Sequence, residues 1–189
     1  MPMTLSFLNQ RRSTPSRQLT APGPDDNQLL SMLQAASRVP DHGKRVPFRF
    51  LRIQGDARHA LGELLAARKQ VLEPEASASL IQKERERFDF APLIITVIAA
   101  QGPDEKIPAS ERYATAACVC FALLQAAQAL GFGAQWLTGW AATDSEICAR
   151  LGLAADEALV GFIHIGTAKL QAPERERPDA AQLLRDWQP

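Results

Sequence analysis

Metal-ligand spacing is absent from this sequence. The three cysteines, Cys118, Cys120 and Cys148, are odd in number and stand without accompanying histidines, which leaves three reduced, mostly buried thiols rather than a zinc-type motif. His59 falls in a polar helical stretch and His164 in an apolar strand, so they read as a solvated and a core histidine. "GFGA" at 131–134 follows a helix, whereas a dinucleotide fingerprint follows a strand and opens a helix. Net charge is lacking too: 21 Lys/Arg balance 21 Asp/Glu, against the basic surplus that a dedicated nucleic-acid binder needs. No membrane span is expected, because the longest helical stretch, 110–131, is interrupted by Glu111, Arg112, Gln125 and Gln128. Nor does the start show a charged segment, an apolar run and a small-residue cleavage site; with reduced thiols, the expected address is cytoplasmic.

What is present describes an ordinary globular chain. Hydrophobic residues at 46% and charged residues at 22% over 189 positions suit a single domain, 1–189. The zero charge hides an asymmetry. Residues 1–54 carry eight Lys/Arg against Asp25, Asp26 and Asp41, so an anion approaching this segment meets little repulsion.

The patterns predict a short helix over Thr4–Ser13, stopped by Pro15, then loop through "TPSRQLTAPGP". Asp25 or Asp26 caps a helix to about Ser37. "FRFLRI" at 48–53 alternates as a strand with one face wet, and Asp56 opens further helix, continued after Pro74 by a helical excursion. "PLIITVIAA" at 92–100 is wholly apolar and β-branched, the mark of a central strand. The 110–131 helix, ended by Gly131, is apolar nearly all round and therefore belongs to a core plus an interface. "GAQWLTGW" supplies a strand and loop, Thr143 with Glu146 a capping box, and "ALVGFIHIG" another buried strand. This order implies an α+β fold with helices on both faces of one sheet.

Two stretches carry chemistry. In "RRS" at 11–13, two guanidiniums and a hydroxyl can hold one phosphate through charge-assisted hydrogen bonds. In "SRVPDHGKRVPFRF" at 37–50, Pro40 and Pro47 fix their own backbones and keep the preceding residues out of the helical region, making a stiff loop that carries Arg38 and His42. Taken alone, each also reads as a solvated helix end or a turn.

With "APLIITVIAA" at 91–100, "QALGFGAQWLTG" at 128–139 and "VGFIHIGT" at 160–167 in order behind them, these stretches resemble the nitroreductase family of flavoproteins, in its small YdjA-like branch. The resemblance implies a three-layer α/β/α arrangement with a mixed central sheet, and a homodimer with FMN in clefts between the subunits. It also implies transfer of hydride from NAD(P)H through FMN to a small-molecule acceptor, such as a nitroaromatic or a quinone, by a ping-pong mechanism. Carried over residue by residue, Arg11, Arg12 and Ser13 would hold the FMN phosphate and ribityl end. Arg38 and His42 would reach an FMN from their loop, and Trp136, Leu137 and Thr138 would line its ring. The family's later phosphate-binding cations fall among Lys169, Arg175 and Arg177, and the tail "PDAAQLLRDWQP" would wrap the partner. No side-chain nucleophile is required, because the chemistry sits on the flavin. Two other readings stay open from the residues themselves: a non-catalytic flavin-binding protein, and a basic-patch interaction module using residues 1–54.

Overall fold

A computed structural model describes residues 5–188. In chain order its elements are α1 (Leu5–Asn9), β1 (Leu19–Thr20), α2 (Asp26–Ala36), β2 (Phe48–Gln54), α3 (Asp56–Leu72), α4 (Ala78–Arg85), β3 (Leu93–Ala100), α5 (Ala109–Ala129), β4 (Gly133–Leu137), α6 (Ser145–Arg150), β5 (Glu157–Ala168) and α7 (Ala180–Leu183). Thr4, where the first helix was expected to start, lies outside the described residues.

Strand β3 pairs with β2 on one edge and β5 on the other, while β1 and β4 share the far edge of β5. The α+β fold with helices on both faces is as expected. The sheet itself differs from the mixed one expected: every pairing among the described residues is antiparallel. β1 falls inside "TPSRQLTAPGP", whose turn residues point to loop, and two residues are too short to show a period.

The apolar run of β3 is buried on both faces because each is covered. Leu93, Ile95, Val97 and Ala99 meet α2 and α5, and Ile94 joins Phe88, Leu61, Leu65 and Ile147 beneath α3 and α6. The same covering overturns the one-wet-face reading of β2. Its cations fall on opposite faces, Arg52 paired with Asp26 and Arg49 with Glu157.

Caps set the helix ends. Asp25 accepts from the Gln28 amide at 2.8 Å while the Gln28 side chain accepts from the Asp25 amide, a reciprocal capping box for α2. α6 is capped by Asp144, which accepts from the Ile147 amide, rather than by Thr143; the carboxylate is also held by Arg68. α5 ends in a Schellman arrangement, Gly131 at φ 82 donating to Gln128 and Phe132 donating to Ala127. The thiols correct one expectation: Cys120 of α5 is buried and Cys148 of α6 half-buried, but Cys118 of α5 is exposed. No helix among the described residues is long and apolar enough to cross a membrane.

Candidate functional site

The N-terminal segment reaches β4 through its backbone. Thr14 donates to the Ala134 carbonyl at 3.0 Å, Ser16 donates to the Gln135 side chain at 2.6 Å, and Gln128 of α5 donates to the Phe7 carbonyl at 3.0 Å. Gly133 makes the approach possible, since a Cβ there would crowd Leu19 and Thr14. Arg11, Ser13, Trp136 and Thr138 consequently line one cleft of about 430 Å³, whose remaining wall is Phe121 and Leu124 of α5. Leu137 is not in that wall. Alternation along β4 turns it to the other face, opposite Phe162.

Beside this cleft the chain gathers cations. Arg11, Arg12, Ser13, Arg175 and Arg177 line an adjoining pocket with Pro173, which separates Arg175 and Arg177 from Lys169 as the later cations at this place. The Arg11 guanidinium donates to Ser13 Oγ at 3.3 Å, and its pKa is lowered by burial and by Arg177, Arg12 and Arg175. A group so placed gains from any anion that enters. Arg12 is engaged within the chain instead, donating to the Asn9 and Arg11 carbonyls and pairing with Glu174; Arg177 also pairs with Glu174.

Arg38 and His42 lie elsewhere. Their loop packs on the N-terminal end of α5, where Thr115 donates to the Pro40 carbonyl and His42 Nδ1 sits 2.7 Å from Glu111 Oε2. Glu111 and Phe121 are 10 residues apart on one helix, which at 1.5 Å per residue puts His42 about 15 Å from the near wall of the cleft. Arg38 and Lys44 are exposed and have no carboxylate partner among the described residues.

The loop is not merely stiff. Gly43, Lys44 and Val46 have φ of 72, 51 and 48, and a β-branched residue at positive φ is strained. Pro47 does exclude the helical region for Val46, but the chain escapes to the left-handed side rather than to the extended one. Asp41 holds the turn by accepting from the Arg45 and Val46 amides, and Arg45 pairs with Asp104 at 2.7 Å. That guanidinium, with two backbone amides, keeps the Asp104 carboxyl far below its ordinary range.

The basic asymmetry of residues 1–54 is only partly neutralised in space: Arg12, Arg45 and Arg49 pair with carboxylates from later in the chain and Arg52 with Asp26. Sequence reasoning missed Phe121, Leu124 and Glu174. The "ERER" run at 174–177 did carry a signal, because it concentrates cations and a counter-ion in one short stretch, which the fold lays beside "RRS".

Comparison with known proteins adds three findings. The model of the nitroreductase family matches residues 8–167. The protein named "Putative NAD(P)H nitroreductase YdjA" from Escherichia coli strain K12 is 34% identical over 169 residues, 89% of this chain and 90% of that protein. Among solved structures, a nitroreductase-like family protein from Bacillus cereus is similar with a TM-score of 0.80 at 22% identity, covering 99% and 98% of the two chains. The FMN- and NADPH-dependent nitroreductase NfnB from sphigopyxis sp. strain HMH is similar with a TM-score of 0.74 at 17% identity and 97% coverage of each.

Proposed function

The chain belongs to the nitroreductase family, and from that premise we propose that it is an FMN-dependent NAD(P)H oxidoreductase, a single domain acting as a homodimer on nitroaromatic, quinone or related acceptors. The observation that carries this reading is the cleft beside Arg11, where a cluster of guanidiniums adjoins an aromatic and aliphatic wall, the two parts that a phosphorylated planar cofactor needs. The donor set fits FMN: Arg11, Ser13, Arg175 and Arg177 would hold the phosphate, with planar donors matched to its oxygens. Trp136, Phe121, Leu124 and Thr138 would enclose the ring and keep water from it.

Bound FMN supplies two-electron transfer between a reduced nicotinamide and an acceptor, in turn, at one site. Arg38 and His42 then need a role away from this chain's own cleft, and a second copy provides one. α5 leaves Tyr113 and Phe121 exposed at 40% and 48%. Such a face suits burial against another subunit, with the loop of one protomer completing the cleft of the other. Arg38 would bring positive charge to the region where a reduced flavin is anionic, and His42, steadied by Glu111, would fix an edge of it. A reducing, cytoplasmic setting is part of the same reading and suits the free thiols.

Mixed dimers test this arrangement. Arg11→Ala and Arg38→Ala are each expected to weaken FMN sites as homodimers. Co-expressed with two tags and purified as the mixed dimer, they should recover one site of parental affinity per dimer, because one cleft then holds both native residues. Titration showing no recovered site would mean the two groups do not share a cleft. Absence of NAD(P)H oxidation with both a nitroaromatic and a quinone would remove the catalytic reading.

A further inference from the structure

Gly161 lies in the core strand β5, outside the cleft, yet it touches the residue that shapes the cleft. Along β5, Leu159 faces Ile98 and Gly161 faces Val97, so Val160 stands without an opposite number and the ladder shifts register there. This is a bulge, and it turns the Val160 carbonyl away from β3. Trp136 takes that carbonyl, its indole Nε1 donating at 3.2 Å. The Nε1–Cδ1 edge of the ring then abuts Gly161, where a Cβ would overlap both atoms.

We propose that Gly161, with the bulge at Val160, is the positioning residue that sets how far Trp136 projects into the cofactor cleft. Gly161 has no left-handed backbone, so alanine is conformationally acceptable at this position and the indole is the obstacle. That indole cannot yield by small rotations. Its rear edge is hydrogen-bonded, it packs on the core that includes Ile163 and Leu124, and its open side is the cleft itself. A methyl group at 161 therefore drives the ring forward, into the space that FMN occupies in the proposed function, on which this inference rests. A glycine kept only for strand packing would behave differently, because removing the indole would then bring no relief.

The experiment uses the full chain as Gly161→Ala, Trp136→Leu and the double variant. FMN affinity comes from fluorescence titration, and the visible circular dichroism of bound FMN reports the ring's surroundings. ¹⁹F spectra of 5-fluorotryptophan-labelled protein follow the indole without any cofactor, Trp136 being assigned by its loss in Trp136→Leu. Gly161→Ala is expected to shift the Trp136 resonance, to weaken FMN by about tenfold or more and to change the dichroism. The double variant should return to the affinity of Trp136→Leu alone. If Gly161→Ala fails to fold, folding of the double variant carries the same meaning. An unmoved Trp136 resonance, parental FMN affinity in Gly161→Ala, or a double variant as impaired as Gly161→Ala would overturn the inference. A shifted resonance in a chain that binds no FMN at all would keep the inference about Trp136 and sink the cofactor reading.

Discussion

At the C-terminal end of α5 the candidate site is assembled before any partner arrives, whereas at the N-terminal end its residues are presented and left open. Arg11, Ser13, Trp136 and Thr138 share a wall fixed by backbone hydrogen bonds between residues 14–16 and β4. Arg38, His42 and Lys44 stand exposed on a turn held in left-handed geometry by Asp41 and Arg45. The first end uses burial and the sheet for placement. The second uses strain and local carboxylates, which suits a surface whose counterpart is on another molecule.

The largest expected effect separates the two ends by what each holds. Arg11→Ala should weaken FMN by about 1.5–3 kcal/mol, roughly 10- to 100-fold in Kd, and leave riboflavin affinity almost unchanged, because the lost partner belongs to the phosphate. Arg38→Ala should, besides weakening FMN, lower the reduction potential of bound flavin, since the anionic reduced form loses a cation. Equal losses of FMN and riboflavin in Arg11→Ala would erase the distinction.

A variant that touches neither end supplies the control. His164 is fully buried, stacked on Phe88 at 5.4 Å with both nitrogens lacking hydrogen-bond partners, and burial together with Arg87 lowers its pKa to about 4. The unfolded chain takes up a proton near pH 6.5 that the folded chain refuses until about 4. Stability is therefore expected to fall as pH drops through that window, by about 1.4 kcal/mol per pH unit for this group. His164→Leu should flatten that part of the urea midpoint against pH and leave FMN affinity at pH 7 unchanged. A slope that persists would assign the proton elsewhere.

How much of this was legible follows the same division. Elements with a long period came through: the apolar β-branched run of β3, the all-round apolar α5 with its terminal glycine, and the Asp25 cap. β1 and the single direction of all the pairings did not, because pairing is decided by residues such as Ala168 and Thr167 far along the chain. At the site, "RRS" and Trp136 were readable as chemistry, but Phe121 and Leu124 look like any core residues until β4 is laid beside α5. The stiffness of the 38–47 loop was visible in its prolines. Its strain was not, since nothing in "GKRV" announces three positive φ values; Asp41 and Asp104, 63 residues apart, hold that geometry from both sides.

Asp41→Ala probes this hold. Removing the acceptor of the Arg45 and Val46 amides should cost about 1 kcal/mol, the worth of a side-chain cap on backbone donors. Amide exchange should speed up at 44–48 and stay parental at 133–137, measured by mass spectrometry. Uniform acceleration would mean that the two ends are not independent.

The smallest expected effect decides whether the strain itself serves the site. Val46 is 63% exposed, so replacing it removes little packing, and its positive φ is unfavourable for a β-branched side chain. Asparagine tolerates that conformation because its short polar side chain can hydrogen-bond locally. The amide that donates to Asp41 is kept. Val46→Asn should therefore stabilise the fold by about 0.5–1 kcal/mol, a gain readable as a higher urea midpoint with an unchanged m-value. Val46→Gly should gain less, because glycine also gives the unfolded chain more freedom. If the strain holds Lys44 and His42 ready for a partner's cleft, Val46→Asn should lower turnover with NAD(P)H even as stability rises. A stabilised variant with parental turnover would make the turn a tolerated irregularity, and would leave Arg38 and His42 positioned by Pro40 and Glu111 instead.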